Sequence, residues 1–214
     1  MRQTLIINDN TSVSLPKGPV GISFSGGADS SLLVYLVLEQ LKDYPVHLFT
    51  ISTVERNLSQ HKITADVLSK ICQLTNNYNV IQHISTCNTD IEGANLIQDL
   101  PIKMLYEQEI IKSMLYGDNC NPPADCGINN IEQFEMFNKR FRSPLHTRTS
   151  RLSLEQYCPL TNLNKQDICK IYQQQGILDS VFPLTKSCGT DYGTEPCGTC
   201  WFCVERAWGM QVLD

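Results

Sequence analysis

The sequence predicts an α/β fold, with a parallel sheet carrying helices on its faces, followed by a small C-terminal segment that contains clustered cysteines. Three observations support this prediction. Strand and helix periodicities alternate through residues 20–84, a glycine-rich turn joins the first of these strands to its helix, and four cysteines fall within sixteen residues near the C-terminus. Parallel strands require crossover connections, which the intervening helices supply.

The first half of the chain shows this alternation most clearly. Strands are indicated by alternating apolar residues or by β-branched and aromatic content, and helices by apolar residues at every third or fourth position. The predicted elements are a strand or hairpin over 1–17, a strand over 20–24, a helix over 32–41, a strand over 46–52, a helix over 59–74 and a strand over 80–84.

The second half of the chain is less regular. For the last helix, Asn164 is the predicted N-cap and Gly176 the stop signal. No repeat or linker divides the chain before about residue 180, so we predict a domain over 1–180 and a separate segment over 181–214. The predicted elements are helices over 102–112, 129–142 and 164–175, a strand over 114–117 and a loop over 120–127.

Composition narrows the classes of function. The net charge of -5 gives no overall attraction for nucleic-acid phosphates, so a small-molecule partner is favoured over direct nucleic-acid binding. The longest apolar run, residues 32–38, is seven residues long, whereas crossing a bilayer takes about 20. Since the first residues also lack a secretory-signal pattern, we expect a cytoplasmic protein with no membrane partner.

The glycine-rich turn has the features of a phosphate site. It comprises Ser25, Gly26, Gly27, Ala28, Asp29, Ser30 and Ser31, between a strand and the start of a helix. Glycines allow the backbone to approach an anion closely, the serines supply hydroxyl donors, and a helix N-terminus carries partial positive charge. The turn is neither a Walker A loop nor a G-x-G-x-x-G turn. The alternative is a turn whose Asp and Ser side chains only cap the helix.

The cysteine cluster has the spacing of a metal site. Cys188, Cys197, Cys200 and Cys203 follow the pattern C-x8-C-x2-C-x2-C. Four thiolates satisfy tetrahedral Zn²⁺ and leave no open position, so we predict a structural zinc site. An iron-sulfur cluster uses the same ligands and remains an alternative, as do free buried cysteines.

The turn resembles the S-G-G-x-D-S signature of the PP-loop ATP pyrophosphatases, which cleave ATP between its α and β phosphates. The resemblance implies a Rossmann-like domain of the PP-loop (HUP) type, with ATP held at its pyrophosphate end by residues 25–31 and Mg²⁺ neutralising the leaving group. It also implies that Asp29 is catalytic, by holding the metal or ordering the loop, and that the strand at 49–52 borders adenine.

The C-terminal third resembles a narrower family, 7-cyano-7-deazaguanine synthase (QueC). The matching motifs are P-L-x-x-L-x-K-x-[ED]-I at 159–168, T-x-S-C at 185–188 and P-C-G-x-C-x-x-C at 196–203. The resemblance implies a ligase of queuosine or deazaguanine nucleic-acid modification. Such a ligase uses ATP and ammonia to convert 7-carboxy-7-deazaguanine to the amide and then to the nitrile, preQ0. It also implies a homodimer.

The middle of the chain departs from the pattern of this family. Residues 101–104 replace a P-x-R-N segment, and residues 117–127 keep Asn119, Asp125 and Cys126 but lose a final Arg. Asn119, Asp125 and Lys103 are the candidate substrate residues, since amide, carboxylate and ammonium groups can recognise a guanine-like edge. The alternative for Asn119 and Asp125 is a role in loop turns.

Lys165 is the predicted catalytic cation. It lies at the start of a predicted helix, where its ammonium could neutralise the charge that grows on pyrophosphate, or could lie solvated on the surface. Lys103 and Lys186 are further candidates, and Lys186 stands where the family commonly has Trp. The four histidines show no metal or triad spacing.

The sequence is also compatible with two other functions. One is a PP-loop tRNA thiolase or other adenylating amidotransferase; a thiolase could recruit Cys126 or Cys87, but the acidic balance of the chain disfavours RNA. The other is a non-catalytic ATP-binding module, which the altered middle favours and the intact turn disfavours.

Overall fold

A computed structural model of the chain describes residues 1–53, 57–87, 91–130, 134, 155–188 and 195–213. Its strands are β1 (Arg2–Asn8), β2 (Thr11–Pro16), β3 (Val20–Ser23), β4 (Val46–Thr53), β5 (Val80–Cys87), β6 (Ser113–Leu115) and β7 (Gln156–Tyr157). Its α-helices are α1 (Ala28–Gln40), α2 (Asn57–Thr75), α3 (Ile91–Glu107), α4 (Lys165–Gln174) and α5 (Trp201–Met210).

Five strands form one parallel sheet in the order β5-β4-β3-β6-β7. The chain runs from β3 outward through β4 to β5 and then returns to place β6 on the other side of β3. Ligand crevices of open parallel sheets form at the carboxyl edge where the strand order reverses in this way. The crevice is therefore expected between the ends of β3 and β6.

Apolar side chains cover both faces of the sheet. Leu48 belongs to the larger apolar cluster and its neighbour Phe49 to a smaller one, because successive strand residues point to opposite faces. The larger cluster contains α1, in which every residue from Ser30 to Leu38 is buried. A helix with no polar face must be enclosed by other elements, and α1 contacts α2, α4, β3 and β1.

The antiparallel hairpin β1–β2 forms a separate two-stranded sheet that packs beside α1. Leu5, Ile7 and Leu15 from the hairpin are fully buried in the larger cluster. The Gln40 amide at the end of α1 donates to the Ile6 carbonyl (2.8 Å) and accepts from the Ile6 N–H (2.9 Å). The hairpin alternative predicted for residues 1–17 is confirmed.

The caps of α4 are confirmed. The Asn164 side chain accepts from the Gln166 and Asp167 N–H groups, and the Asp167 carboxylate accepts from the Asn164 N–H, which completes a capping box. Gly176 follows the helix with φ +66°, a conformation that favours glycine. This capping fixes the first turn of α4, where Lys165 lies.

Several predicted boundaries are wrong. The helix predicted over 102–112 is α3, which begins at Ile91 and ends at Glu107, because residues 110–112 lead into β6. β6 is also shorter than the predicted strand at 114–117, and β7 and α5 were not predicted. Of the helix predicted over 129–142, the structure describes residues 129, 130 and 134, none of them helical. Among the described helices, none combines the length and apolarity needed to cross a membrane.

Two histidines on neighbouring strands form a polar pair, in which His47 is buried and His83 is half-buried. His47 Nδ1 lies 2.9 Å from His83 Nε2, and Phe49 stacks on the His83 ring with centroids 4.6 Å apart. Burial lowers the pKa of His47, and the nearby His83 lowers it further; burial also lowers the pKa of His83. These two histidines therefore bind protons at a lower pH in the folded protein than in the unfolded chain, where a histidine titrates near pH ~6.5.

We expect the free energy of unfolding to be highest above pH ~6.5 and to fall as the pH decreases below that value, because the unfolded state then binds more protons. Each such histidine contributes a slope of up to about 1.4 kcal/mol per pH unit. Urea unfolding between pH 8 and pH 5 measures this slope. His47→Gln should flatten it and His61→Gln, outside the pair, should not; equal slopes in both variants contradict the assignment.

Candidate functional site

A cavity of about 320 Å³ lies at the carboxyl edge of the sheet, between the ends of β3 and β6. The glycine-rich turn forms one wall, residues 116–118 after β6 form another, and α4 and residues 186–188 complete it. Its position matches the reversal of strand order. Among the described residues it is lined by Ser23, Ser25, Gly27, Asp29, Ser30, Gln60, Tyr116, Gly117, Asp118, Lys165, Lys186, Ser187, Cys188 and Phe202.

The turn is held in place by its own serines. Ser25 Oγ lies 3.1 Å from Ser30 Oγ and accepts from the Gly27 N–H at 3.3 Å. Gly26 has φ +74°, and a Cβ there would lie 2.9 Å from Ile63 Cγ2, so this position requires glycine. Gly27 is the N-cap of α1 and offers no side-chain cap. The first turn of α1 therefore presents backbone N–H groups and helix-dipole charge to an anion.

The predicted turn residues divide into two groups. Ser25, Gly27, Asp29 and Ser30 line the cavity. Gly26, Ala28 and Ser31 are buried behind it and are absent from its described lining. From that position these three residues shape the turn and pack the start of α1 against the core.

A buried ion-pair network joins the turn to the C-terminal helices. Lys165 Nζ lies 2.5 and 2.6 Å from the Asp29 carboxylate oxygens and 3.7 Å from Glu205 Oε2. The Lys165 and Glu205 side chains are 2% and 1% exposed. Glu205 Oε1 in turn accepts from Asn119 Nδ2 at 3.5 Å. The Lys165 charge is thus already engaged by two carboxylates, and its ammonium orients Asp29.

Close backbone approaches allow this network to form. A Cβ at Gly117 would lie 2.8 Å from the Ser30 nitrogen, and one at Gly209 would lie 3.0 Å from the Lys165 carbonyl oxygen. Only glycine permits the end of β6 to meet α1, and α5 to meet α4, at these distances. Asp118 follows Gly117 directly and lines the cavity together with Asp29. Two carboxylates at an anion site are suitable ligands for a hard cation such as Mg²⁺.

The four clustered cysteines lie beside this cavity. The Sγ atoms of Cys188, Cys197, Cys200 and Cys203 lie within 4.8 Å of one another. Burial, together with the neighbouring Cys200 and Cys188 thiols, raises the pKa of Cys203 to about 12. A bound cation reverses this effect, because a coordinating thiol is deprotonated. The set of donors therefore fits a metal ion with affinity for sulfur.

A backbone hydrogen bond connects the cysteine segment to the turn. The Lys186 N–H donates to the Gly26 carbonyl at 3.0 Å, and Cys188 lies two residues further on and lines the cavity. α5 begins at the cysteine cluster, since Cys200 is its N-cap. The cluster is thus positioned to hold both the 185–188 segment and α5 against the site.

A protein-family model matches the C-terminal half of the chain. The family described as "Queuosine biosynthesis protein QueC" matches residues 105–214, which is 110 of the 214 residues. The match includes Lys165, Glu205 and all four clustered cysteines. The chain belongs to the QueC family. A comparison with curated protein sequences finds no match.

Solved structures that match this chain include three at low sequence identity. A 4-thiouridine synthetase in complex with RNA and bound ATP has a TM-score of 0.52 and 14% identity, over 92% of this QueC-family chain and 51% of the synthetase. The U34-tRNA thiolase NcsA from Methanococcus maripaludis, with its [4Fe-4S] cluster, has a TM-score of 0.46 and 15% identity, over 89% of this chain and 64% of NcsA. NMN synthetase from Francisella tularensis has a TM-score of 0.46 and 13% identity, over 83% of this chain and 68% of the NMN synthetase. The chain spans about half the length of the synthetase.

None of the three predicted substrate residues is in the described lining of the cavity of this QueC-family chain. Asn119 is buried and contacts Glu205, so it supports the network. Asp125 is exposed in a turn. Lys103 is exposed on α3, where it pairs with Glu107 at 3.7 Å.

Two residues of the site were missed from the sequence. Asp118 could have been found, because it follows a predicted strand at the edge where ligands bind. Glu205 gave no such signal, since it lies on a helix that was not predicted and contacts residues 40 or more positions away, Lys165 and Asn119. Its role depends on packing that no local pattern indicates.

We expect Lys165→Met to lower the free energy of unfolding by about 3–5 kcal/mol, because it leaves the buried Glu205 carboxylate without a cation. Adding Glu205→Gln should recover part of that loss. Urea unfolding of both variants measures the difference.

Lys103→Met is the matched control, since it breaks an exposed pair that contributes at most about 1 kcal/mol. If Lys165→Met has the same free energy of unfolding as Lys103→Met, the buried ion pairs of Lys165 do not stabilise the protein as described.

Proposed function

We propose that the chain is an ATP-dependent ligase that adenylates 7-carboxy-7-deazaguanine and uses ammonia to form the 7-amido or 7-cyano product. The observation that carries the proposal is the Ser25–Ser30 turn, with Asp29 and Asp118, at the reversal of strand order in a chain of the QueC family. The predicted compartment is the cytoplasm.

ATP is proposed to bind with its pyrophosphate end on the turn. Hydroxyl groups of Ser25 and Ser30 and the Gly27 backbone line the cavity and supply donors for phosphate oxygens. Asp29 and Asp118 would hold Mg²⁺, which supplies charge neutralisation of the leaving group. Lys165 acts through Asp29 as a positioning residue, because its ammonium contacts both oxygens of that carboxylate.

The proposed chemistry begins with acyl activation. A carboxylate oxygen of the acid attacks the α phosphorus, the bond from that phosphorus to the bridging oxygen breaks, and pyrophosphate leaves with the electron pair. Ammonia then attacks the acyl carbon, and AMP leaves with one carboxylate oxygen as one proton is released. The product is the amide.

A second ATP can convert the amide to the nitrile. The amide oxygen attacks the α phosphorus and pyrophosphate leaves; the carbon-oxygen bond then breaks, AMP carries away the oxygen, and the nitrogen releases two protons. Both rounds use the same phosphate contacts, so one site suffices for both.

The cysteine cluster is proposed to hold one structural zinc ion. Four thiolates bound tetrahedrally at ~2.3 Å lie ~3.8 Å apart; the measured pairs Cys197–Cys203 and Cys188–Cys200 are separated by 3.9 and 4.0 Å. In a [4Fe-4S] cluster each thiolate binds a different iron, so the sulfurs are spread further apart. We propose that this zinc organises the segment over 181–214 and, through Lys186, supports the turn.

We expect wild-type protein with ATP, Mg²⁺, ammonia and 7-carboxy-7-deazaguanine to form AMP and pyrophosphate. Asp29→Asn and the double variant Ser25→Ala/Ser30→Ala should lose roughly a hundredfold or more of this rate, because they remove phosphate and metal contacts. Chromatographic measurement of AMP gives the rates.

Asp43→Asn, at an exposed turn outside the site, is the matched control and should keep the wild-type rate. Full AMP formation by both site variants contradicts the assignment of the turn. AMP formation stimulated by tRNA and not by the deazapurine indicates a thiolase-like enzyme instead.

We expect one zinc ion per chain in protein purified without chelator, and Cys200→Ser should reduce that content. Loss of the ion should lower the melting temperature, because metal binding contributes directly to folding free energy. Elemental analysis and thermal melts measure both effects, with Cys72→Ser, a buried cysteine outside the cluster, as the control for zinc content. Iron with acid-labile sulfide contradicts the zinc assignment.

A further inference from the structure

A second cavity, of about 690 Å³, lies between α2, residues 183–188 and α5. It shares Lys186, Ser187 and Cys188 with the first cavity, so the two meet at this segment. Its wall is largely apolar and includes Ile63, Pro183, Leu184, Ala207 and Met210. A large apolar space beside a phosphate site suits a flat organic ring.

Arg206 and Lys186, two cations of the second cavity, have fewer carboxylate partners among the described residues than Lys165 has. Arg206 lines it and stacks over Phe182 with its Cζ atom 3.9 Å from the ring centroid. The Arg206 guanidinium donates to Thr185 Oγ1 at 2.7 Å and to the Phe182 carbonyl at 2.6 Å, and pairs with no carboxylate among the described residues. Together with Lys62 and Lys186, this fixed charge outweighs the two carboxylates of the described lining, Asp66 and Glu195, and so favours an anionic occupant.

Lys186 is the cation at the junction of the two cavities. Its backbone is fixed by the hydrogen bond to Gly26, and within the described chain its ammonium forms no ion pair. Lys165, by contrast, contacts two carboxylates. Of these two lysines, Lys186 is therefore the one with charge available for an incoming anion.

We propose that the second cavity holds the ring of the acid that is adenylated, with its carboxylate bound by Lys186 at the junction. This inference rests on the proposed function and assigns the acid a place within it. The carboxylate then lies next to the phosphate cavity, from which its oxygen attacks the α phosphorus. The bond from that phosphorus to the bridging oxygen breaks, pyrophosphate leaves with the electron pair, and no proton is transferred.

Binding of two matched compounds tests the role of Lys186. Calorimetry should show that wild-type protein binds 7-carboxy-7-deazaguanine at least about tenfold more tightly than 7-deazaguanine, which lacks the carboxylate. Lys186→Met should abolish this difference and leave the affinity for 7-deazaguanine unchanged. Lys170→Met, which removes an exposed lysine from α4, should keep the difference.

A substitution that fills the cavity tests the place of the ring. Ala207 is exposed on α5 and lines the second cavity, so Ala207→Phe adds bulk there without disturbing the core. It should weaken the binding of both compounds about tenfold or more and leave pyrophosphate binding unchanged.

The inference is overturned if Lys186→Met keeps the preference for the acid, or if it weakens pyrophosphate binding and not acid binding. It is also overturned if Ala207→Phe binds both compounds as wild type does. Failure of the proposed function gives a different result: the wild-type protein then forms no AMP from the acid, whatever the two variants bind.

Discussion

The ion pairs of Lys165 with Asp29 and Glu205 are the interactions on which the site depends. They connect the first turn of α1, the first turn of α4 and the middle of α5, which are distant in sequence. A buried ammonium with one carboxylate removed leaves an uncompensated charge, so the three side chains are stable only together. The orientation of Asp29 at the glycine-rich turn is consequently set by the C-terminal helices.

The cysteine cluster is also physically connected to the glycine-rich turn. The 185–188 segment donates a backbone hydrogen bond to Gly26 and supplies Cys188 to the cluster, and α5 extends from that cluster to carry Glu205. A metal ion bound by the four thiolates would therefore fix the cysteine segment and the Glu205 side of the ion-pair network together. Such an ion would then influence the orientation of Asp29 without contacting a bound ligand.

The parts of the site that the sequence predicted are local, and those it missed are long-range. The turn at 25–30 and the C-x2-C-x2-C run place their groups within a few residues, so spacing alone identified them. The caps of α4 were predicted for the same reason. The sequence did not indicate β7 or the role of Glu205. Both depend on packing between distant segments, such as the contact of Asn119 with Glu205 across 86 positions, and local periodicity carries no information about such contacts. Lys165 was identified through a motif, but its engagement by two carboxylates required the fold.

The proposed reaction begins when a carboxylate oxygen attacks the α phosphorus of ATP at the turn. The most direct measurement uses 7-carboxy-7-deazaguanine labelled with ¹⁸O in its carboxylate, incubated with the protein, ATP, Mg²⁺ and ammonia, with mass analysis of the AMP and the amide. We expect one labelled oxygen in the phosphate of each AMP formed with an amide, and none in pyrophosphate. Unlabelled AMP accompanying amide formation would contradict it.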